Sequence, residues 1–197
     1  MAQHVCALGM ALVAPSYRLA PANRLPAAYE DALSCLSFVQ IHAANWGIHT
    51  QRLILSGHSA GGHLAALVAL RARPPHVAAC MPISAIVDLH HPAPSAGSLE
   101  ERVYTLLLDE PSQDAPLSPI HWTTGNSIAF VLTVGEQDSP RVLAGNRRMQ
   151  ALLSLQTAPS SLHVQPGQSH FDTHTSLHNA SHPWYKQLRH LAVQSPQ

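Results

Sequence analysis

The sequence predicts an α/β fold, a mostly parallel sheet with helices on both faces, in one domain over residues 1–197. Three observations predict it. Short, fully apolar runs alternate with helix-like stretches, the pattern of strands buried in a parallel sheet. One such run leads into Gly57-His58-Ser59-Ala60-Gly61-Gly62-His63, a glycine-flanked serine turn followed by the helix-forming Leu64-Ala65-Ala66-Leu67. The 197 residues are 46% hydrophobic and 11% charged with a formal net charge of +0, which suits one sizeable core.

The elements follow in order. Ala11-Leu12-Val13-Ala14, closed by Pro15, reads as a buried strand. Pro21 to Pro26 is a loop. A helix from Ala27 places Ala32, Leu36, Val39, Ala43 and Trp46 on one face, and Gly47 ends it. Arg52 to Leu55 is the strand before the serine turn, and the helix after it runs to about Arg71, stopped by Pro74-Pro75. Val77 to Met81 and Ile128 to Val134 are buried strands. Arg141 to Leu155 is a helix, Leu162 to Val164 a last strand, and Trp184 to Val193 a final helix. Between about residues 89 and 126 the pattern lapses into proline-rich sequence with one helix, Ser98 to Leu108. A stretch this long between core strands reads as a lid insertion over the serine.

Composition narrows the partners. With no basic stripe, nothing points to nucleic acid. No apolar run approaches the roughly 18 to 20 residues of a membrane span. Val5 to Ala14 has no preceding Lys or Arg, so it reads as a buried strand rather than a secretory signal. The Asn179-Ala180-Ser181 sequon carries no meaning without a signal. Cys6, Cys35 and Cys80 fit no metal or redox spacing and read as buried small hydrophobes in a reducing compartment, so a cytoplasmic location is expected.

The serine turn carries the chemistry. A Gly-x-Ser-x-Gly elbow between strand and helix forces the serine into a strained conformation at the mouth of the sheet. The alternative is a glycine-rich turn that only packs or binds phosphate. A nucleophilic serine needs a base and an acid to orient it, in the order serine, acid, histidine at successive strand ends. The strand at 128–134 runs into Gly135-Glu136-Gln137-Asp138-Ser139-Pro140, and the last strand into Gly167-Gln168-Ser169-His170-Phe171. Asp138 is the preferred acid because it lies further into its loop, with Glu136 the alternative. His170 is the preferred base by chain order, and Ser59 the nucleophile. The chain has 15 histidines. Of these, His58 and His63 flank the elbow and shape a pocket or pack, His163 lies within the last strand, and His90 and His91 sit in the lid. His170, His174, His178 and His182 repeat every four residues, as zinc-binding pairs can, but polar filling and Pro183 suggest a solvated loop. No metal and no cofactor is expected.

Taken together these residues resemble the α/β-hydrolases, in the branch of arylformamidases (kynurenine formamidases) and related carboxylesterases. The matching blocks are Tyr17-Arg18-Leu19-Ala20-Pro21, Pro26-Ala27-Ala28 with Asp31, Gly57 to Ala66, Ser84 to Leu89, Ser118-Pro119, Gly135 to Pro140 and Ser169-His170-Phe171. His58 and His63 favour the formamidase-like branch over hormone-sensitive-lipase-like relatives, which more often carry Asp and Asn there. The resemblance implies an acyl-enzyme mechanism on a small-molecule acyl substrate, an aryl formamide or short-chain ester, with the Ala60 amide as oxyanion donor. It also implies a His-Gly-Gly segment ahead of this region, supplying further oxyanion amides. The 197 residues contain no such segment, so the expected fold is N-terminally shortened. A strand would then be missing between 11–14 and 53–56; these neighbours either pair directly or something else fills the gap. Such a shortened sheet is expected to form homo-oligomers. The rival reading is a hydrolase-like chain with little activity that acts as a binding or interaction protein.

Overall fold

The computed structural model describes residues 1–49 and 52–193. Its centre is a four-stranded parallel sheet of β1 (Leu53–His58), β2 (Val77–Ile83), β3 (Ala129–Gly135) and β4 (Ser160–Gln165), in the spatial order β1-β2-β3-β4. Parallel neighbours need crossovers. One is α3 (Ala60–Leu67), extended by a π-turn at Val68–Ala72, and another is α5 (Pro140–Leu153). Residues 84–128 form the third.

Strand alternation feeds two layers. On β2, Cys80 faces one core with Ala66 and Leu70 from the α3 stretch, Met149 and Leu153 from α5, and Leu36 of α2 (Leu25–His42). Ala79, Met81 and Ile83 face the other, with Trp184, Tyr185 and Leu188 of α7 (Pro183–Val193), the helix after the short α6 (Asp172–Thr175), and Val5 of α1 (Ala2–Ala7). Successive strand residues point to opposite faces, so a strand covered on both sides must be apolar throughout, as β2 is.

The segment expected as a lid holds α4 (Leu99–Arg102), capped by the Ser98 hydroxyl and continued by a π-turn at Val103–Leu107. It is anchored, not loose. Val103, Leu108 and Leu117 pack with Leu25, Ala28, Leu64 and Leu67 in a third cluster, over α2 and α3.

Several local expectations give way. Residues 11–14 form no strand, and Leu12 and Val13 are 43% and 46% exposed. They do not pair with β1, whose strand partner is β2; a four-residue run without a partner ladder gains too little to order as a strand. Val5 is not strand but helix: α1 buries that one residue against α7 and His4 bonds the His178 carbonyl at 2.8 Å. Cys6, next to it on the outer side of α1, is exposed rather than buried, and Cys35 is only half-buried. α2 begins at Leu25, because Pro26 in a first helical turn lacks only an N–H that has no partner there anyway. Trp46 is 48% exposed, stacked on His42 instead of facing the core. Gly47 ends the stretch with φ 67°, in the left-handed conformation glycine allows.

Candidate active site

The carboxyl ends of the strands meet at the elbow. Ser59 sits between β1 and α3 with φ 54° and ψ −115°, a conformation that a non-glycine residue holds only when its surroundings impose it. Two backbone bonds do so: Ser59 N–H donates to the Ile83 carbonyl at 2.9 Å, and the Ser59 carbonyl accepts from His63 N–H at 2.9 Å. Glycines give the room. A Cβ on Gly57 would run into the backbone of Gly61, and one on Gly62 would lie 2.8 Å from the Gly57 carbonyl oxygen and 3.0 Å from the Ala85 Cβ. Ala60 opens α3, so its N–H has no intrahelical acceptor and is available to a developing oxyanion.

The β3 and β4 loops are laced together. Glu136 N–H donates to the Gln165 carbonyl and Gln137 N–H to that of Gln168, both at 2.9 Å. Gly135 lies so close beneath Gln168 that a Cβ there would strike its carbonyl. This lacing brings the three predicted side chains into one chain of hydrogen bonds. His170 Nε2 lies 3.0 Å from Ser59 Oγ, and His170 Nδ1 lies 2.6 Å from Asp138 Oδ1. The Asp138 side chain is fully buried and that of His170 is 28% exposed. As a carboxylate Asp138 can only accept, so the pairing puts the proton on Nδ1 and leaves the Nε2 lone pair to accept from Ser59. Glu136 is turned away, its carboxylate accepting from Gly167 N–H at 2.7 Å in an exposed position.

Sequence reasoning missed two hydroxyls behind this chain. Ser84, fully buried with φ 46°, donates to Asp138 Oδ2 at 2.6 Å, beside the Gly135 N–H at 2.8 Å. Thr173, also fully buried, lies 2.9 Å from Ser84 Oγ and donates to the His170 carbonyl at 2.7 Å. Neither belongs to a motif with a mechanism of its own, and a positive φ at a serine has no signature in sequence.

The other histidines separate into roles. His58 Nε2 lies 2.7 Å from the His170 carbonyl, and its ring packs between those of His170 and His174 at 4.7 and 4.2 Å. Burial holds the His58 imidazole below its usual pKa, the bond to the His170 carbonyl opposing in part. His63 is 4% exposed, its Nδ1 2.7 Å from the Ile86 carbonyl, and burial lowers its pKa too. His90 bonds Asp114 at 2.7 Å, as does the Tyr104 hydroxyl, so it secures the 89–126 segment. His163 is exposed on β4 beside Ser161. Of the four-residue histidine repeat, His174 joins the rings beside the triad, while His182 bonds Gln165. Among the described residues no three His, Cys, Asp or Glu side chains are placed to hold a metal.

A cavity of about 500 Å³ opens at the other end of the sheet among Arg73, Val77, Asn126, Ala129, Pro159 and Leu191, away from Ser59.

Comparison with known proteins bears on the family and the fold. A family model described as "alpha/beta hydrolase fold" matches residues 1–171. Lipase 2 of Moraxella sp. (strain TA144) is 34% identical over 120 residues, 59% of this chain and 26% of that protein. Carboxylesterase 20 of Arabidopsis thaliana is 43% identical over 67 residues, 32% of this chain and 20% of that one. The chain thus matches about a quarter or less of the length of these relatives. Among solved structures, an esterase of Pyrobaculum calidifontis superposes with a TM-score of 0.80 at 23% identity, covering 97% of this chain and 67% of that one. A truncated carbohydrate esterase from gut microbiota superposes with a TM-score of 0.81 at 17% identity, covering 97% and 77%. At such identities these superpositions establish the fold.

Proposed function

The chain belongs to the α/β-hydrolase family, and from that premise we propose that it is a serine hydrolase that removes a small acyl group through an acyl-enzyme. The observation that carries the reading is the Ser59–His170–Asp138 relay, joined at 3.0 and 2.6 Å behind a strained serine. Ser59 attacks the carbonyl as His170 Nε2 takes its proton. The imidazolium is held by Asp138, and the oxyanion by the Ala60 amide. The leaving group departs with the His170 proton, and water then repeats the sequence to free the acid.

For the substrate we propose a short-chain ester or an aryl formamide. The ester arm draws support from relatives named lipase and carboxylesterase. The formamide arm draws support from His58 and His63 at the elbow. The test compares an aryl formamide with an aryl butyrate, with Ser59→Ala as the control. A pocket fitted to the smallest acyl group penalises each added methylene by about 1 to 3 kcal/mol. A higher kcat/KM for the formamide supports the formamidase reading, and the reverse order makes the protein a general carboxylesterase. Activity retained by Ser59→Ala rules out both.

A further inference from the structure

We propose that Ser84 is a positioning residue of this site, holding the second oxygen of Asp138 so that the first stays aligned on His170. The proposal rests on the hydrolase reading above for its kinetic consequence, though not for its geometry.

Four groups close a ring. Asp138 Oδ1 meets His170 Nδ1, Thr173 donates to the His170 carbonyl, Thr173 Oγ1 meets Ser84 Oγ, and Ser84 donates to Asp138 Oδ2. Protons decide how the ring is wired. Two hydroxyls carry one proton each, yet they serve three contacts. The 2.6 Å bond to a carboxylate takes the Ser84 proton, so the 2.9 Å contact between the hydroxyls has only the Thr173 proton to use. That proton is shared between Ser84 Oγ and the His170 carbonyl, 2.7 Å away. The carbonyl does not depend on it, because His58 Nε2–H donates there as well. Thr173 therefore supports Ser84, and Ser84 fixes the rotation of the Asp138 carboxylate together with the Gly135 N–H.

Backbone cost points the same way. Ser84 holds φ 46° in a wholly buried site at the exit of β2, its N–H tied to the Thr133 carbonyl at 2.7 Å. Glycine would hold that conformation without strain. A serine there gives up backbone freedom and places one hydroxyl on the carboxylate.

The test follows from the same strain. Ser84→Gly removes the hydroxyl while easing the backbone, so the fold and its melting midpoint are retained. A hydrogen bond to a charged group is lost, and kcat on a p-nitrophenyl short-chain ester should fall by about 10-fold. A carboxylate stripped of one donor attracts the imidazolium more strongly, so the acidic limb of kcat/KM should move to higher pH. The charged and titratable groups facing His170 are Asp138 and His58, with His174 behind His58; Asp172 is engaged by Ser169. None of these is altered by the substitution. The His170 imidazole titration, followed by NMR, should move in the same direction without any substrate. Thr173→Val should give a smaller loss in kcat, since Ser84 and His58 keep their own bonds. A folded Ser84→Gly protein with wild-type kcat, an unmoved acidic limb and an unmoved His170 titration overturns the proposal. If the wild type turns over neither a short-chain ester nor an aryl formamide while the NMR titration still shifts in Ser84→Gly, the hydrolase reading fails and the hold of Ser84 on Asp138 stands.

Discussion

At the scale of single residues, the site is a matter of which carboxylate reaches the histidine. Asp138 and Glu136 stand two positions apart on one loop, yet one is buried on His170 and the other binds a backbone amide in solvent. Asp138→Asn should cut kcat by on the order of 10⁴ with the fold intact, because an amide donor on Nδ1 selects the wrong tautomer. Glu136→Gln should cost less than about 10-fold, the price of one exposed hydrogen bond. Steady-state kinetics on both variants checks the ranking, and the reverse order would move the acid to Glu136. Chain order made Ser59, Asp138 and His170 legible as candidates, since each follows a recognisable strand. Ser84 and Thr173 were not legible, because a serine among apolar neighbours and a threonine in a polar stretch announce nothing until the fold sets one against Asp138 and the other against the His170 carbonyl. His63 yields a second prediction. Burial lowers its pKa, so the unfolded chain binds a proton more readily than the folded one. Its contribution is complete above the ordinary histidine pKa of about 6.5 and declines as pH falls from there to its depressed folded value. Stability should drop by up to about 1.4 kcal/mol per pH unit across that window from this residue. Urea unfolding at pH 7 and pH 5.5 should record the drop, and His63→Gln should flatten it. An equal slope in the variant would place the pH dependence elsewhere.

At the scale of elements, the unit β1–elbow–α3 was the clearest in the sequence, and its turn is closely packed. Two of its glycines, Gly57 and Gly62, are dictated by contact; at Gly62 a Cβ would press on both β1 and Ala85 at the exit of β2. Gly62→Ala should therefore lower stability by about 1 to 3 kcal/mol. It should also lower kcat more than KM changes, since α3 must shift and carry the Ala60 amide with it. Gly61→Ala meets nothing within 4 Å and is the matched control. Equal melting temperatures for the two variants would contradict the packing account. The N-terminal stretch was read less well. Apolar composition at 11–14 suggested a strand, but strand order depends on a partner ladder that local sequence does not encode. Val5 was likewise read as strand, whereas its place is fixed by Trp184 and Tyr185, nearly 180 residues away in sequence.

At the scale of the whole molecule, two apolar layers around one parallel sheet were readable from the alternation of strands and helices. The surface was not, because exposure depends on what each element fails to cover. Leu12, Val13, Phe38, Ile41 and Trp46 are all exposed, the last three lying along α2 and the turn that follows it. Such an apolar surface favours association. The 197-residue chain, 21.2 kDa as a monomer, should elute from size exclusion with multi-angle light scattering above that mass. The pair Phe38→Lys and Ile41→Glu should shift it toward 21.2 kDa. A monodisperse wild-type monomer would contradict this.

The central claim is that Ser59 is an activated nucleophile. Intact-mass analysis after reaction with a fluorophosphonate tests it most directly, since only an activated serine is phosphonylated rapidly. The account predicts one adduct per wild-type chain, located on Ser59 by peptide mapping, absent from Ser59→Ala and strongly slowed in His170→Ala. An unmodified wild type, or an adduct that persists in Ser59→Ala, would contradict it.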